Sequence, residues 1–171
     1  MKYHWLLLIV FPLVGKTQSN KIQALDKLIG TWSVEEVFQE GTAQRKVVKG
    51  ERTCSYALKG TYINCITIEQ SGASEREYQF WIHYNQSTAQ FEMMSLYSNW
   101  SQQRRDVIKP DSIGQWQLMG EPMVEKGVER VIKGVMEFQG DQIKWSGFLH
   151  TSKMKEGEWQ PIYTEIATRK K

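Results

Sequence analysis

Between Ile22 and Phe38 the spacing of apolar side chains changes its period. Ile22, Leu25, Leu28 and Ile29 recur at helical spacing, which predicts an amphipathic helix of about two turns with one apolar face. A helix that short does not hold by itself in water, so its apolar face must lean on whatever follows. From Trp32 the period is two. Trp32, Val34 and Phe38 alternate with Ser33, Glu35 and Gln39, and Glu36 is the one polar residue in the apolar set. Gly30 falls where the period changes, a position suited to a left-handed helix cap and a sharp turn into the first strand.

Beyond Phe38 the pattern is of strands and turns. Ala43 to Leu58 and Thr61 to Gln70 flank Lys59-Gly60, and pairing them across that turn sets Cys54 directly opposite Cys65. A two-residue loop would place the cysteines at a hydrogen-bonded pair, where a bridge is strained. A four-residue loop, Leu58 to Thr61, places them at a non-hydrogen-bonded pair, the closer geometry that a disulfide selects. Two reduced cysteines that simply pack are the alternative.

The next hairpin, Glu75 to Asn85 and Gln90 to Ser98, turns at Gln86-Ser87-Thr88-Ala89. Its register matches Tyr78 with Tyr97, Phe80 with Ser95, Ile82 with Met93 and Tyr84 with Phe91 on one almost wholly apolar face, which must point inward. Trp81, His83, Met94 and Leu96 fall on the outward face, and a slip of one residue would exchange the two. Gln103 to Lys109 and Gln115 to Met119 read as short strands about Pro110-Asp111-Ser112, with their partners open, and Glu121-Pro122 breaks the chain. Glu129 to Phe138 and Ile143 to Thr151 then pair Phe138 with Ile143, Met136 with Trp145, Gly134 with Gly147 and Ile132 with Leu149, with Arg130 continuing the inward set. The facing glycines imply either a bend for closure or room for a ring or ligand. A last strand runs from Trp159 to Thr168, and Arg169-Lys170-Lys171 reads as a frayed basic tail.

These segments amount to about nine or ten antiparallel strands joined by short hairpins, with a helix only at the start. The expected fold is all-β, an antiparallel up-and-down barrel that removes its exposed edges by closing on itself, wide enough inside for a small ligand. The first residues, MKYHWLLLIVFPLVGKTQSN, join a positive flank to an apolar run too short to span a bilayer, and fit a signal peptide over 1–18 cut between Gly15 and Asn20. Residues 19–171 then form a single domain, exported to the periplasm or beyond, with no stable membrane anchor. Without Lys2 and Lys16 the chain has 20 basic and 19 acidic side chains, a balance that excludes a nucleic-acid footprint. Seven Trp, seven Tyr and six Phe supply rigid surface of the kind that lines cavities.

Catalytic and metal signatures are missing from the sequence. Its mature histidines, His83 and His150, have no partner at a zinc spacing, and there is no P-loop or dinucleotide fingerprint. His83 lies outward opposite Glu92, as in a surface ion pair. No metal and no cofactor are expected, and an enzyme is the less favoured reading.

The helix leading into Gly30-Thr31-Trp32, followed by a meander of hairpins, resembles the lipocalin-like or calycin superfamily, and within it the exported bacterial lipocalin-like domains of unknown function, whose early hairpin is similar to Tyr56-Ala57-Leu58-Lys59-Gly60-Thr61-Tyr62. The resemblance implies that Gly30 and Trp32 are structural. It also implies that Trp32 packs at the closed end against an arginine from a late strand, for which Arg130 and Arg169 are the candidates, and that the barrel binds a small hydrophobic or amphipathic molecule. Some barrels of this kind hold haem by a histidine on a late strand, but His150 shares its face with Lys144 and Ser146, a solvent face. A monomer is expected whose ligand is lined by Tyr78, Phe80, Tyr84, Phe91, Met93, Tyr97, Met136, Phe138 and Trp145, with Arg130 meeting a carboxylate. The alternatives are a packed barrel that acts through an outer strip of Trp81, Met94 and Leu96, and an isomerase or lyase with its chemistry in the cavity.

Overall fold

The computed structural model describes residues 21–39, 41–71, 74–111 and 114–171; the leader and its cleavage region lie outside the described residues. Eleven strands follow a short 3₁₀ helix: β1 (Gly30–Phe38), β2 (Lys46–Ala57), β3 (Tyr62–Ser71), β4 (Ser74–Asn85), β5 (Gln90–Tyr97), β6 (Trp100–Pro110), β7 (Gln115–Gly120), β8 (Met123–Glu125), β9 (Val128–Gln139), β10 (Gln142–Thr151) and β11 (Gln160–Arg169). Sequential antiparallel pairing carries the sheet from β1 to β7, then through β9, β10 and β11, and β11 returns to β1. β8 pairs only with β9 and prolongs the stave of β7 past the break at Glu121-Pro122, so the barrel closes with ten staves.

The three expected hairpin registers occur: Cys54 faces Cys65, Tyr78 faces Tyr97, and Gly134 faces Gly147. β2 and β3 are joined through Leu58–Thr61, and a disulfide joins Cys54 to Cys65, their Cα atoms 4.0 Å apart as in the narrower type of antiparallel pair. The segment whose partners the pattern left open is also placed, with β6 between β5 and β7, and β7 against β9. The facing glycines make room for rings. A Cβ on Gly134 would lie 2.6 Å from the Trp145 indole nitrogen, and one on Gly147 would lie 2.2 Å from the ring of Tyr163.

The segment before β1 plugs one end. It is a 3₁₀ helix, Gln23–Leu28, rather than an α-helix, because six residues form too few i→i+4 bonds to offset nucleation. Ile22, Leu25 and Leu28 are buried within the barrel end. Trp32 donates its indole N–H to the Leu28 carbonyl at 2.9 Å, which ties the plug to the first strand. Gly30 is not a left-handed cap. Its φ of +133° lies outside the left-handed helical well, and a Cβ there would lie 2.5 Å from Nη1 of Arg169. Arg169 is no frayed tail either: it ends β11 opposite Trp32, places its guanidinium carbon 4.1 Å from the Trp32 ring centroid, and donates to the carbonyls of Ile29 (2.6 Å) and Lys27 (2.9 Å). It thereby satisfies carbonyls that a helix end leaves without partners. Of the two candidate arginines, Arg169 is the one that packs on Trp32.

Candidate functional site

The plugged half of the barrel is packed solid with Ile22, Leu25, Ile63, Ile82, Ile108 and Leu118. Toward the open end the inward positions become polar and leave a cavity of about 220 Å³. Rings form much of its wall. Tyr78 stacks on Tyr97 at 5.5 Å, Tyr97 meets Trp100 at 5.8 Å, Phe80 meets Trp145 edge-on at 5.8 Å, and Phe38 meets Tyr163 at 6.2 Å. Between the rings, Glu36, Glu165, Arg76, Arg104, Ser95 and Asn99 face the same space.

Three groups of buried charge surround it. Arg52 lies opposite Trp32 on β2 and so shares its inward face. It grips Glu165 with both terminal nitrogens (2.7 and 2.6 Å), donates Nε to the Thr67 hydroxyl at 2.9 Å, and reaches the Tyr78 hydroxyl, which itself donates to Glu165 at 2.8 Å. Both charges are 2 % exposed. Burial works against the arginine charge, but the attractions of Glu165 and Tyr78 outweigh it and raise the pKa, so Arg52 stays charged.

In the second group Arg76 bridges two buried carboxyls, Glu36 and Glu69, with a further 2.8 Å bond from its Nε to Glu69. The ladder explains the crowding: Glu36 is paired with Glu165 across β1 and β11, and Glu69 with Arg76 across β3 and β4. Burial first, then the negative charge of Glu165, pushes the Glu36 carboxyl up to about 8; Arg76 opposes this, and Glu69 adds to it. At neutral pH Glu36 is therefore a neutral acid. In the third group Arg104 donates Nε and Nη2 to Oδ1 of Asp106 at 3.0 and 2.6 Å. Burial raises the pKa of Asp106 while Arg104 holds it down. The phenols of Tyr78, Tyr97 and Tyr163 are all pushed up, chiefly by burial, and stay protonated.

Tyr78, Phe80, Tyr97 and Trp145 line this cavity, as their inward parity implied. Tyr84, Phe91, Met93, Met136 and Phe138 do not. They share the inward face but lie deeper, packed in or against the core, where Trp116 meets Phe138 at 4.5 Å and Tyr84 meets Phe91 at 5.2 Å. Arg130 is not the inward charge. Its guanidinium pairs with Glu125 at 2.7 Å, both side chains more than a third exposed, and Arg52 holds the Glu165 that could have met it. The inward guanidiniums are Arg52, Arg76 and Arg104. Arg52 is two residues from Cys54, so the cysteine register carried its parity; Arg104 stands on a strand whose pairing the pattern did not resolve.

His83 faces out, 3.3 Å from Glu92 and stacked on Tyr62 at 4.9 Å, while His150 donates from Nδ1 to the Glu158 carbonyl, 2.8 Å away, beside Trp159. Among the described residues no three His, Cys, Asp or Glu side chains form a metal-binding group. The outer strip lies over a groove of about 270 Å³ bordered by Tyr62, Trp81, Met94 and Arg105, with Leu96 exposed beside Met94's strand position.

No family model and no curated protein matches this chain. Solved structures do. One is the crystal structure of Rv2717c from M. tuberculosis, with a TM-score of 0.61 and 11 % identity over 88 % of this chain and 97 % of that one. Another is the S-type phycobiliprotein lyase CPES from Guillardia theta, with a TM-score of 0.57 and 10 % identity over 94 % of this chain and 99 % of that one. At such identities the likeness is one of fold. The fold is a closed antiparallel β-barrel.

Proposed function

We propose that the chain is a binding barrel that admits one small amphipathic molecule through its open end into the chamber above the packed core. The observation that carries this is the cavity of about 220 Å³, walled by aromatic rings and bordered by Phe80 and Trp145, in a barrel whose other half holds the buried apolar core. The volume is below the roughly 300–1,000 Å³ of ordinary small-molecule sites, which favours a compact ring system over a long acyl tail. The disulfide accords with a mature chain exported after removal of 1–18, acting as a monomer in an oxidising compartment.

A second reading has one observation in its favour. Glu36 carries a proton at neutral pH and faces the same chamber as Glu165 and Tyr78, the setting of a general acid, and one barrel of similar fold is a lyase.

Native mass spectrometry of protein purified from its own host, followed by titration of compact aromatic ligands against the tryptophan fluorescence, tests the binding reading. Ser95→Phe, which fills the chamber from β5, should abolish saturation, and Arg130→Met should leave it unchanged, since Arg130 sits with Glu125 outside the cavity. A ligand bound equally well by the Ser95 variant would refute the assignment. Turnover of a bound ligand that disappears in Glu36→Gln would favour the second reading.

A further inference from the structure

A second cavity adjoins the chamber. It is a cleft of about 480 Å³ that shares Phe38, Arg76 and Asn99 with the chamber wall. Its other borders are Lys46 and Val48 from β2, Glu69 from β3 and Glu75 from β4. The strand register accounts for the contact. Glu36 and Phe38, which line the chamber, lie opposite Val48 and Lys46, which line the cleft, so the border between the two spaces follows the β1–β2 ladder. By itself the chamber falls short of an ordinary small-molecule site, whereas chamber and cleft together fall within the roughly 300–1,000 Å³ of such sites.

The chemistry changes across that border. Rings wall much of the chamber, but charges of both signs face the cleft: Lys46 and Arg76 on one side of the balance, Glu69 and Glu75 on the other. Lys46 and Glu75 are exposed, while Glu69 is wholly buried. Arg76 marks the junction. Its guanidinium carbon lies 5.3 Å from the Phe38 ring centroid and 5.1 Å from that of Tyr78, and Glu36 and Glu69 hold it there. A ligand arm with one charge would be drawn to one sign of side chain in this cleft and repelled by the other. An arm that carries both signs close together finds a counter-charge for each.

We propose that the chamber and the cleft are two lobes of one site and that its ligand is an aromatic α-amino acid, with the ring in the chamber, the carboxylate against Lys46 and Arg76, and the ammonium against Glu75. This rests on the binding reading above and names its ligand class. The ring supplies the apolar burial, and the two charges fix which way round the molecule sits.

The test uses four probes that share one ring: 3-methylindole, with no charged arm; tryptamine, with the ammonium only; indole-3-propionate, with the carboxylate only; and tryptophan, with both. Binding is followed by calorimetry in the full mature chain and in Lys46→Ala and Glu75→Ala, both exposed positions that border the cleft and not the chamber, with a thermal melt to check folding. Tryptophan should bind at least about fivefold more tightly than any other probe. Lys46→Ala should weaken tryptophan and indole-3-propionate by about fivefold and leave tryptamine unchanged; Glu75→Ala should weaken tryptophan and tryptamine and leave indole-3-propionate unchanged. Neither variant should alter 3-methylindole. Equal affinity for all four probes, or tryptophan unaffected by both variants, overturns the two-lobed site and leaves the binding barrel standing. Tryptamine or indole-3-propionate binding as tightly as tryptophan overturns the ligand class. Binding of none of the four overturns the binding reading itself.

Discussion

Replacing Glu36 by glutamine isolates one buried proton. Unfolded, the carboxyl has its ordinary pKa of 4.5; folded, it holds its proton up to about 8. Below pH 4.5 both states are protonated and the stability is at its fullest. Between the two values the unfolded chain releases a proton that the folded chain keeps, so stability falls by about 1.36 kcal/mol for each pH unit and levels off above pH 8. The loss across the whole interval is about 5 kcal/mol. Glutamine imitates the protonated acid: its carbonyl can accept from Arg76 and its amide can donate toward Glu69, the two groups that Glu36 already faces. Urea melts of both proteins between pH 5 and pH 9 measure the effect. Asp106 shifts in the same direction, but it is common to both proteins and cancels in the difference. The advantage of the glutamine variant should grow steadily from pH 5 to pH 8 and then stop growing. Parallel stability curves over that range would refute the reasoning, because they would mean that Glu36 ionises when folded much as it does when unfolded.

Other outcomes follow from the packing. Trp32→Ala, at 1 % exposure, should cost about 3–5 kcal/mol in urea melts, while His83→Ala should cost less than about 1 kcal/mol because its pair with Glu92 is partly solvated. Arg52→Met should cost about 3–5 kcal/mol by leaving Glu165 buried and alone, and adding Glu165→Leu should recover much of that; a double variant no better than the single one would contradict the pairing. Reducing the Cys54–Cys65 bridge, which closes a separation of 11 residues, should cost about 2–3 kcal/mol, and thiol labelling of the denatured, unreduced protein should find neither cysteine free.

The sequence by itself determined the staves and most of their registers. An antiparallel hairpin pairs neighbours in the chain, and the period of two sorts its residues between faces, so Cys54 against Cys65, Tyr78 against Tyr97 and Gly134 against Gly147 were all legible from alternation and turn residues. Alternation says which side of the wall a residue is on and nothing of its depth along the barrel. Tyr78 and Tyr84 share a strand and a face, yet one lines the chamber and the other packs by the plug, because the plug fills one end only. Closure was equally out of reach. Trp32 and Arg169 meet only when β11 returns to β1, and Arg52 finds Glu165 across 113 residues, so the choice between Arg130 and Arg169 and the whole buried charge network belong to the tertiary structure. The physical reason is that a charge inside a barrel is tolerated only beside its counter-charge, and on a closed sheet that partner comes from whichever distant strand faces it across the interior.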